Sequence, residues 1–178
     1  DEGDIIKTDG YFLYQLANNT IRIVKSYPSS ELSLASEIKL DEGFYASELY
    51  VQDDRLVVIG TIWKTAQSEG NVSQLYLRYF SGEEKTIARV YNLKDHNNPV
   101  QERQVELDGG LLSSRKIGNN VYLISKTWPR YYFMRLMATE SPIQSKIANP
   151  NYLLQQLQTP NSLLPHISDS AVKKGKER

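Results

Sequence analysis

The chain has 178 residues, of which 40% are hydrophobic and 24% are charged, so it is long and apolar enough for one packed domain. Its 21 basic and 21 acidic residues cancel, which argues against a nucleic-acid-binding protein, since such proteins depend on a basic excess. The absence of cysteine excludes disulfides, zinc–thiolate sites and a cysteine nucleophile, and no apolar run reaches the roughly 20 residues of a transmembrane helix.

Three short hairpins recur along the chain. Their turns lie at Asp9-Gly10, Asp53-Asp54 and Asn119-Asn120, and each turn separates a short strand from a more apolar one. All three residue pairs tolerate the positive φ that a two-residue hairpin turn requires. The sequence therefore predicts three equivalent pairs of antiparallel strands.

A second kind of strand pair follows each of the first two hairpins. Thr20–Lys25 leads through a proline-containing turn to Ala35–Leu40, and Thr86–Tyr91 leads through another to Arg103–Leu107. The last strand of each pair alternates polar and apolar residues, which is typical of a strand with one solvated face. A unit of four antiparallel strands is thus predicted twice, and the third hairpin begins another.

The spacing of these landmarks fits one repeat with one insertion. Asp9 and Asp53 are 44 residues apart, which matches the period of a four-stranded propeller blade. Asp53 and Asn119 are 66 residues apart, and so are the third-strand starts Thr20 and Thr86. A single insertion of 22 residues, at about residues 65–86 of the second unit, explains both longer offsets.

The predicted fold is all-β, a β-propeller with four-stranded antiparallel blades, of which this chain holds about two and a half. Residues 1–127 comprise blades one and two and the first half of blade three. The pattern stops after them, so residues 128–178 are expected to be an irregular insertion or tail of blade three, in a domain that is truncated there.

Four segments carry a resemblance to a known family: Gly3–Gly10, Asp54–Gly60, Val90–Pro99 and Ser113–Tyr122. They resemble bacterial secreted proteins with a C-terminal β-propeller domain, which are distantly similar to WD40 repeats. The resemblance covers most of residues 3–125. It implies a propeller fold and a location outside the cytoplasm, at the cell surface or in the extracellular space, and it implies no catalytic residues.

The sequence predicts no catalytic residue, metal ligand or cofactor site. Neither histidine has another metal-binding side chain at the spacing of a metal site. His96 is therefore interpreted as part of a solvated turn, and His166 as a solvated residue of the irregular tail. The adjacent carboxylates Asp41-Glu42 and Asp53-Asp54 lie in predicted turns, where they cannot face each other across a substrate. The chain also lacks a nucleophile elbow, a phosphate loop and a dinucleotide fingerprint.

Polar residues on the first strands of the blades form one candidate ligand site. The first strands line the channel of a propeller, and aligning the turns makes Asp4, Glu48 and Ser114 equivalent. Arg115 then replaces an apolar residue of the other blades. Because an unpaired buried charge is costly, Arg115 is expected to pair with Glu48 or Asp4. The alternative is that it anchors a ligand in the channel.

An aromatic cluster beyond the third hairpin forms the second candidate site. Trp128, Arg130 and Tyr131 stand together with two further aromatic residues. Aromatic rings beside arginine stack on sugars or bind protein partners. The alternative is that they pack against blade three or fill the gap beside it.

The favoured function is a non-catalytic binding or scaffolding module of a secreted or cell-envelope bacterial protein. Its partners would be a protein or a carbohydrate together with the remaining blades of the same protein. The alternative is part of an extracellular polysaccharide hydrolase or lyase, whose catalytic residues would lie mostly outside this segment.

Overall fold

The computed structural model describes residues 1–64, 83–127 and 165–171. Within these ranges the chain is built from antiparallel β-sheets and one short 3-10 turn, Ser29–Glu31. The all-β class and the division into four-stranded blades are confirmed. The described residues comprise two four-stranded blades and the first two strands of a third.

Blade one is a four-stranded sheet in chain order. Its strands are β1 (Ile6–Thr8), β2 (Phe12–Ala17), β3 (Thr20–Lys25) and β4 (Ser33–Lys39). Side chains alternate between the two faces of the sheet along β2 and β3. The register pairs Tyr14 with Ile23 and Leu16 with Ile21, so these four side chains share one face, and all four are buried.

Blade two contains four strands in the same order. They are β5 (Phe44–Gln52), β6 (Arg55–Lys64), β7 (Glu83–Asn92) and β8 (Val100–Asp108). The pairing of β6 with β7 continues to Lys64 opposite Glu83. The predicted insertion therefore falls at the end of this hairpin, where residues 65–82 lie outside the described ranges, and β7 begins three residues before the predicted Thr86.

Blade two is buried on both of its faces. Leu56 and Val58 of β6 belong to the core shared with blade one, whereas Ile59 lies in a second core with Tyr50. Strands of blade three pack on this second core. A strand that is buried on both sides must be apolar at consecutive positions, which explains the run from residue 56 to residue 59.

Blade three is represented by the hairpin of β9 (Gly110–Ile117) and β10 (Asn120–Lys126). The predicted turn at Asn119-Asn120 is displaced by one residue, because Asn120 already belongs to β10. Gly118 takes the positive φ of 56° that the tight turn needs, a conformation that glycine adopts at little cost. The hairpin of blade two turns where predicted, with positive φ at Asp53, whereas the turn of blade one lies one residue later than predicted, at Gly10-Tyr11, because Thr8 pairs with Leu13.

The chain after blade three contains a strand that the repeat pattern did not indicate. Residues 167–171 were predicted to belong to an irregular tail, but they form β11 (Ile167–Ala171), which pairs antiparallel with β8. The sheet of blade two therefore has the order β11-β8-β7-β6-β5. The segment has little apolar periodicity, since it is paired through its backbone and not through a buried face. The other residues of the predicted tail lie outside the described ranges, apart from Pro165 and His166.

One face of the blade-three hairpin carries exposed apolar side chains. Leu112, Tyr122 and Ile124 are 65%, 54% and 56% exposed. Apolar patches are seldom left bare in monomeric proteins, so we expect another surface to cover this face. The 178-residue chain alone is then expected to self-associate.

The first prediction is that Ile124→Lys weakens this self-association by about tenfold or more, because burying an isoleucine side chain is worth roughly 1.5–3 kcal/mol. Sedimentation equilibrium measures the dissociation constant, with Leu32→Lys as a control at an exposed leucine of blade one. A wild-type chain that stays monomeric and unfolds cooperatively at every concentration would contradict the prediction.

Candidate functional site

A polar cleft of about 300 Å³ lies between the first strands of blades two and three, where β5 and β9 meet the N-terminal segment. We call it the first-strand cleft. Two of the predicted ligand-binding residues, Glu48 and Arg115, line it together. The complete lining is Glu2, Gly3, Glu48, Leu112, Ser113, Ser114 and Arg115.

A chain of hydrogen bonds fixes the carboxylate in this cleft. The Ser114 hydroxyl donates to Oε2 of Glu48, and the oxygens of Ser114 and Tyr50 are 2.6 Å apart. Because the single Ser114 proton points to the carboxylate, Tyr50 is the donor of the second bond. Tyr50 is 1% exposed and held in the core between the blades, so the chain holds Glu48 at a defined position.

Glycine at position 3 lets the N-terminal segment pass over Glu48. A Cβ atom at Gly3 would lie 2.5 Å from Oε2 and 2.8 Å from Cβ of Glu48. Such distances are well inside van der Waals contact. Any side chain at this position would therefore push the segment or Glu48 aside and reshape the cleft.

Arg115 is not paired as the sequence predicts. Its Nη2 atom lies 3.1 Å from Oε1 of Glu2, and the two side chains are 61% and 81% exposed. Successive side chains of a strand point to opposite sides, so the Ser114 side chain contacts Glu48, whereas Arg115 extends to the exposed border of the cleft beside Glu2. The expected pairing of Arg115 with Glu48 or Asp4 is thus wrong, and the guanidinium is accessible to solvent.

Asp4 lies beside the cleft, where the N-terminal segment pairs with β5 of blade two. Its backbone carbonyl accepts a hydrogen bond of 2.8 Å from the N–H of Leu49, and its own Oδ1 accepts one of 2.7 Å from the N–H of Ile5. The remaining predicted site residues, Trp128, Arg130 and Tyr131, lie outside the described residues.

His96 joins blade two to blade one, a role that the sequence did not reveal. Its ring stacks on Phe12 at a centroid distance of 3.9 Å, and its Nε2 lies 3.1 Å from the hydroxyl of Tyr14. Tyr14 donates a hydrogen bond of 2.7 Å to Oδ2 of Asp9. His96 lies in the turn between β7 and β8, as predicted, but its side chain is not solvated, because it is only 22% exposed and packs between blades.

The environment of this contact shifts two ionisation equilibria. Burial raises the pKa of Asp9, but hydrogen bonds from the Phe12 N–H, the Tyr14 hydroxyl and the Tyr11 N–H outweigh it, so the pKa lies below its usual value. Burial and the neighbouring Asp9 carboxylate raise the pKa of Tyr14 well above its usual range. Tyr14 is therefore a permanent donor to an ionised Asp9 at neutral pH.

Arg89 is a buried cation that the sequence analysis did not single out. It is 6% exposed, and its Nη2 lies 2.5 Å from Oδ2 of Asp41 in the connection between blades one and two. Its Nε donates to Oε1 of Gln104 at 3.0 Å, and the guanidinium lies 4.4 Å from the centre of the Phe44 ring. A charged residue between the apolar residues Ala88 and Val90 of β7 was the available signal, but its partner lies 48 residues away.

The described part of the chain shows no group of three or more histidine, aspartate or glutamate side chains that could hold a metal ion. Nor does any helix within those same ranges have the length and apolarity needed to cross a membrane.

Comparison with known proteins finds one family. The family model described as a β-propeller domain matches residues 1–177. Neither the curated proteins nor the solved structures give a significant match to this chain.

The second prediction concerns Glu48 and Arg115. Glu48→Ala leaves Ser114 without its acceptor and should cost about 1.5 kcal/mol of unfolding free energy. Arg115→Met should change it by less than about 0.5 kcal/mol, because exposed ion pairs contribute little. Urea denaturation of the two variants tests this, and a larger loss for Arg115→Met would show that its ion pair matters for folding.

The third prediction is a pH dependence. A carboxylate whose pKa is lowered by folding stabilises the protein above its unfolded value of about 3.9, and this contribution is lost as the pH falls through the native value. Asp9→Asn should therefore lower the free energy of unfolding at pH 7 by about 1 kcal/mol, and with it the melting temperature. This loss of stability should shrink below about pH 4.

Thermal melts from pH 2.5 to pH 7 measure this deficit. Asp53→Asn is the matched control, because Asp53 is a turn aspartate of blade two with a positive φ of 50°, a conformation that asparagine also tolerates. A deficit for Asp9→Asn that is the same at every pH would show that the Asp9 charge has no part in the contact.

Proposed function

Because the chain belongs to the family of β-propeller domains, we propose that it is a non-catalytic binding or scaffolding module that holds a polar ligand in the first-strand cleft. A propeller is a rigid frame whose strand ends and loops are available to partners. The frame by itself does not fix the ligand, so the proposal depends on the cleft.

The observation that carries the proposal is the arrangement of a fixed carboxylate beside an accessible guanidinium. Glu48 is held by Ser114 and, through it, by Tyr50, while Arg115 extends into solvent with only an exposed partner. A site of this kind presents acceptors and donors in one place at small entropic cost. Hydroxyl groups of a saccharide, or polar groups of a protein loop, fit this chemistry.

We further propose that the protein acts outside the cytoplasm, in the secreted fraction or at the cell envelope of a bacterium. The support is the resemblance of Gly3–Gly10, Asp54–Gly60, Val90–Pro99 and Ser113–Tyr122 to secreted bacterial propeller proteins. Fractionation of the source cells with an antibody against the protein tests the location. Recovery in the cytoplasmic fraction alone would contradict it.

The fourth prediction tests the cleft as the binding site. The 178-residue chain is screened on a glycan array and against peptide ligands, and affinities for the best binder are measured by calorimetry. Arg115→Ala should weaken binding by about tenfold or more, because a hydrogen bond to a charged group is worth about 1.5–3 kcal/mol. Arg22→Ala is the control, since Arg22 also forms a partly exposed ion pair but lies in blade one.

Equal affinities of wild type and Arg115→Ala would place the ligand elsewhere. Cleavage of a polysaccharide by the protein would contradict the non-catalytic part of the proposal. It would support the alternative of a hydrolase or lyase whose catalytic residues lie mostly outside this segment.

A further inference from the structure

The outer edge of blade two is covered by a strand that comes from far along the chain. Residues Ile167–Ala171 of β11 pair antiparallel with Leu107–Arg103 of β8, residue for residue. The connection from the end of β10 to the start of β11 is 40 residues long. An uncovered strand edge presents free N–H and C=O groups that readily pair with another chain, so β11 occupies a position that would otherwise be open to one.

β11 is held by its backbone, by a pair of charges and by the Ser170 hydroxyl, and His166 just before it contacts Asp108. Nε and Nη2 of Arg103 donate to the two carboxylate oxygens of Asp169, at 2.8 and 2.6 Å. These residues are diagonal neighbours on one face of the sheet, because Asp169 pairs with Val105 and Ala171 with Arg103. This two-pronged geometry is specific for a carboxylate.

The side chains of β11 bury almost nothing. All five residues are exposed, and the largest, Ile167, is 72% exposed. A different strand in the same place would therefore lose no packed core. It would keep the backbone ladder, and it would need a carboxylate at the Asp169 position to keep the contact with Arg103.

We propose that the outer edge of blade two is a docking site for an extended strand of a partner protein with an acidic side chain opposite Arg103, and that β11 is its intramolecular occupant. Strand addition of this kind takes its affinity from main-chain hydrogen bonds and its specificity from alternate side chains. At this edge the specific element is the Arg103 guanidinium, which is 57% exposed and within reach of an incoming carboxylate.

The site is separate from the first-strand cleft. In the sheet order β11-β8-β7-β6-β5, the docking edge and the cleft strand β5 are at opposite ends of blade two. A negative result at one of the two sites therefore leaves the proposal for the other unaffected.

β11 competes with any partner because it is tethered to the same molecule. A flexible tether gives an effective concentration of about the millimolar range, so a free peptide must displace β11 or bind after it is released. Asp169→Arg places a positive charge against Arg103 and should release β11 while leaving the edge and Arg103 intact.

The fifth prediction uses the 178-residue chain and a fluorescent synthetic peptide with the sequence of residues 166–171. In Asp169→Arg, the backbone amides of β8 that face β11 should exchange hydrogen about tenfold faster or more than in wild type, as expected for a strand edge that loses its partner, whereas those that face β7 should be unchanged. Added peptide should restore the protection of the amides that face β11. Fluorescence anisotropy should show the peptide binding Asp169→Arg about tenfold more tightly than wild type, because the tethered competitor is gone.

Charge reversal tests the specificity. Arg103→Asp sets a carboxylate against Asp169 and should also release β11, but it should not bind the wild-type peptide, whereas a peptide with arginine at the Asp169 position should bind it. Glu37→Arg is the matched control, because it disrupts the cross-strand pair of Arg22 and Glu37 in blade one and should leave exchange in β8 unchanged. Far-UV circular dichroism verifies that each variant is folded.

Three results would overturn the proposal. The first is a failure of the peptide to protect β8 in Asp169→Arg. The second is equal binding of the wild-type peptide to Asp169→Arg and to Arg103→Asp, since the Arg103 contact would then be without effect. The third is protection of β8 by concentration-dependent dimerisation of Asp169→Arg without peptide, which would assign the edge to a second copy of this chain.

Discussion

The burial of β6 on both faces is the constraint on which the rest of the described structure depends. Leu56 and Val58 turn toward blade one and Ile59 toward blade three, so a single strand supplies side chains to two cores. A four-stranded sheet alone cannot bury its apolar faces, and stacking against neighbours is what makes such units stable. The positions of blades one and three follow from this shared strand.

Packing at these two faces also places the polar contacts of the molecule. On the side of blade three, Tyr50 is buried in the second core and supports Ser114 and Glu48 at its border. On the side of blade one, Tyr14 is fully buried and binds Asp9 and His96 at the border of the first core. In both cases a buried tyrosine holds polar side chains at the border of a core, because its hydroxyl must find a hydrogen-bond partner.

The sequence predicted the features that depend on neighbouring residues. Turn residues and strand periodicity located the hairpins to within one residue, and the spacing of the hairpins predicted the four-stranded blades. The one-residue displacement of the third turn arose because Gly118 accepts a positive φ more readily than Asn120. Local patterns could not reveal the contact of His96 with Tyr14, which joins residues 82 positions apart. They also gave little indication of β11, because none of its side chains is buried and its residues therefore do not alternate between apolar and polar.

The same reasoning explains why the candidate site was found in part. Glu48 was identified because a carboxylate on a first strand is conspicuous, and the alignment of turns placed it near blade three. That alignment gave Ser114 and Arg115 the correct strand, but the side toward which each residue points depends on the sheet register, and a shift of one residue reverses it. The structure therefore gives Ser114 the contact with Glu48 that the sequence assigned to Arg115.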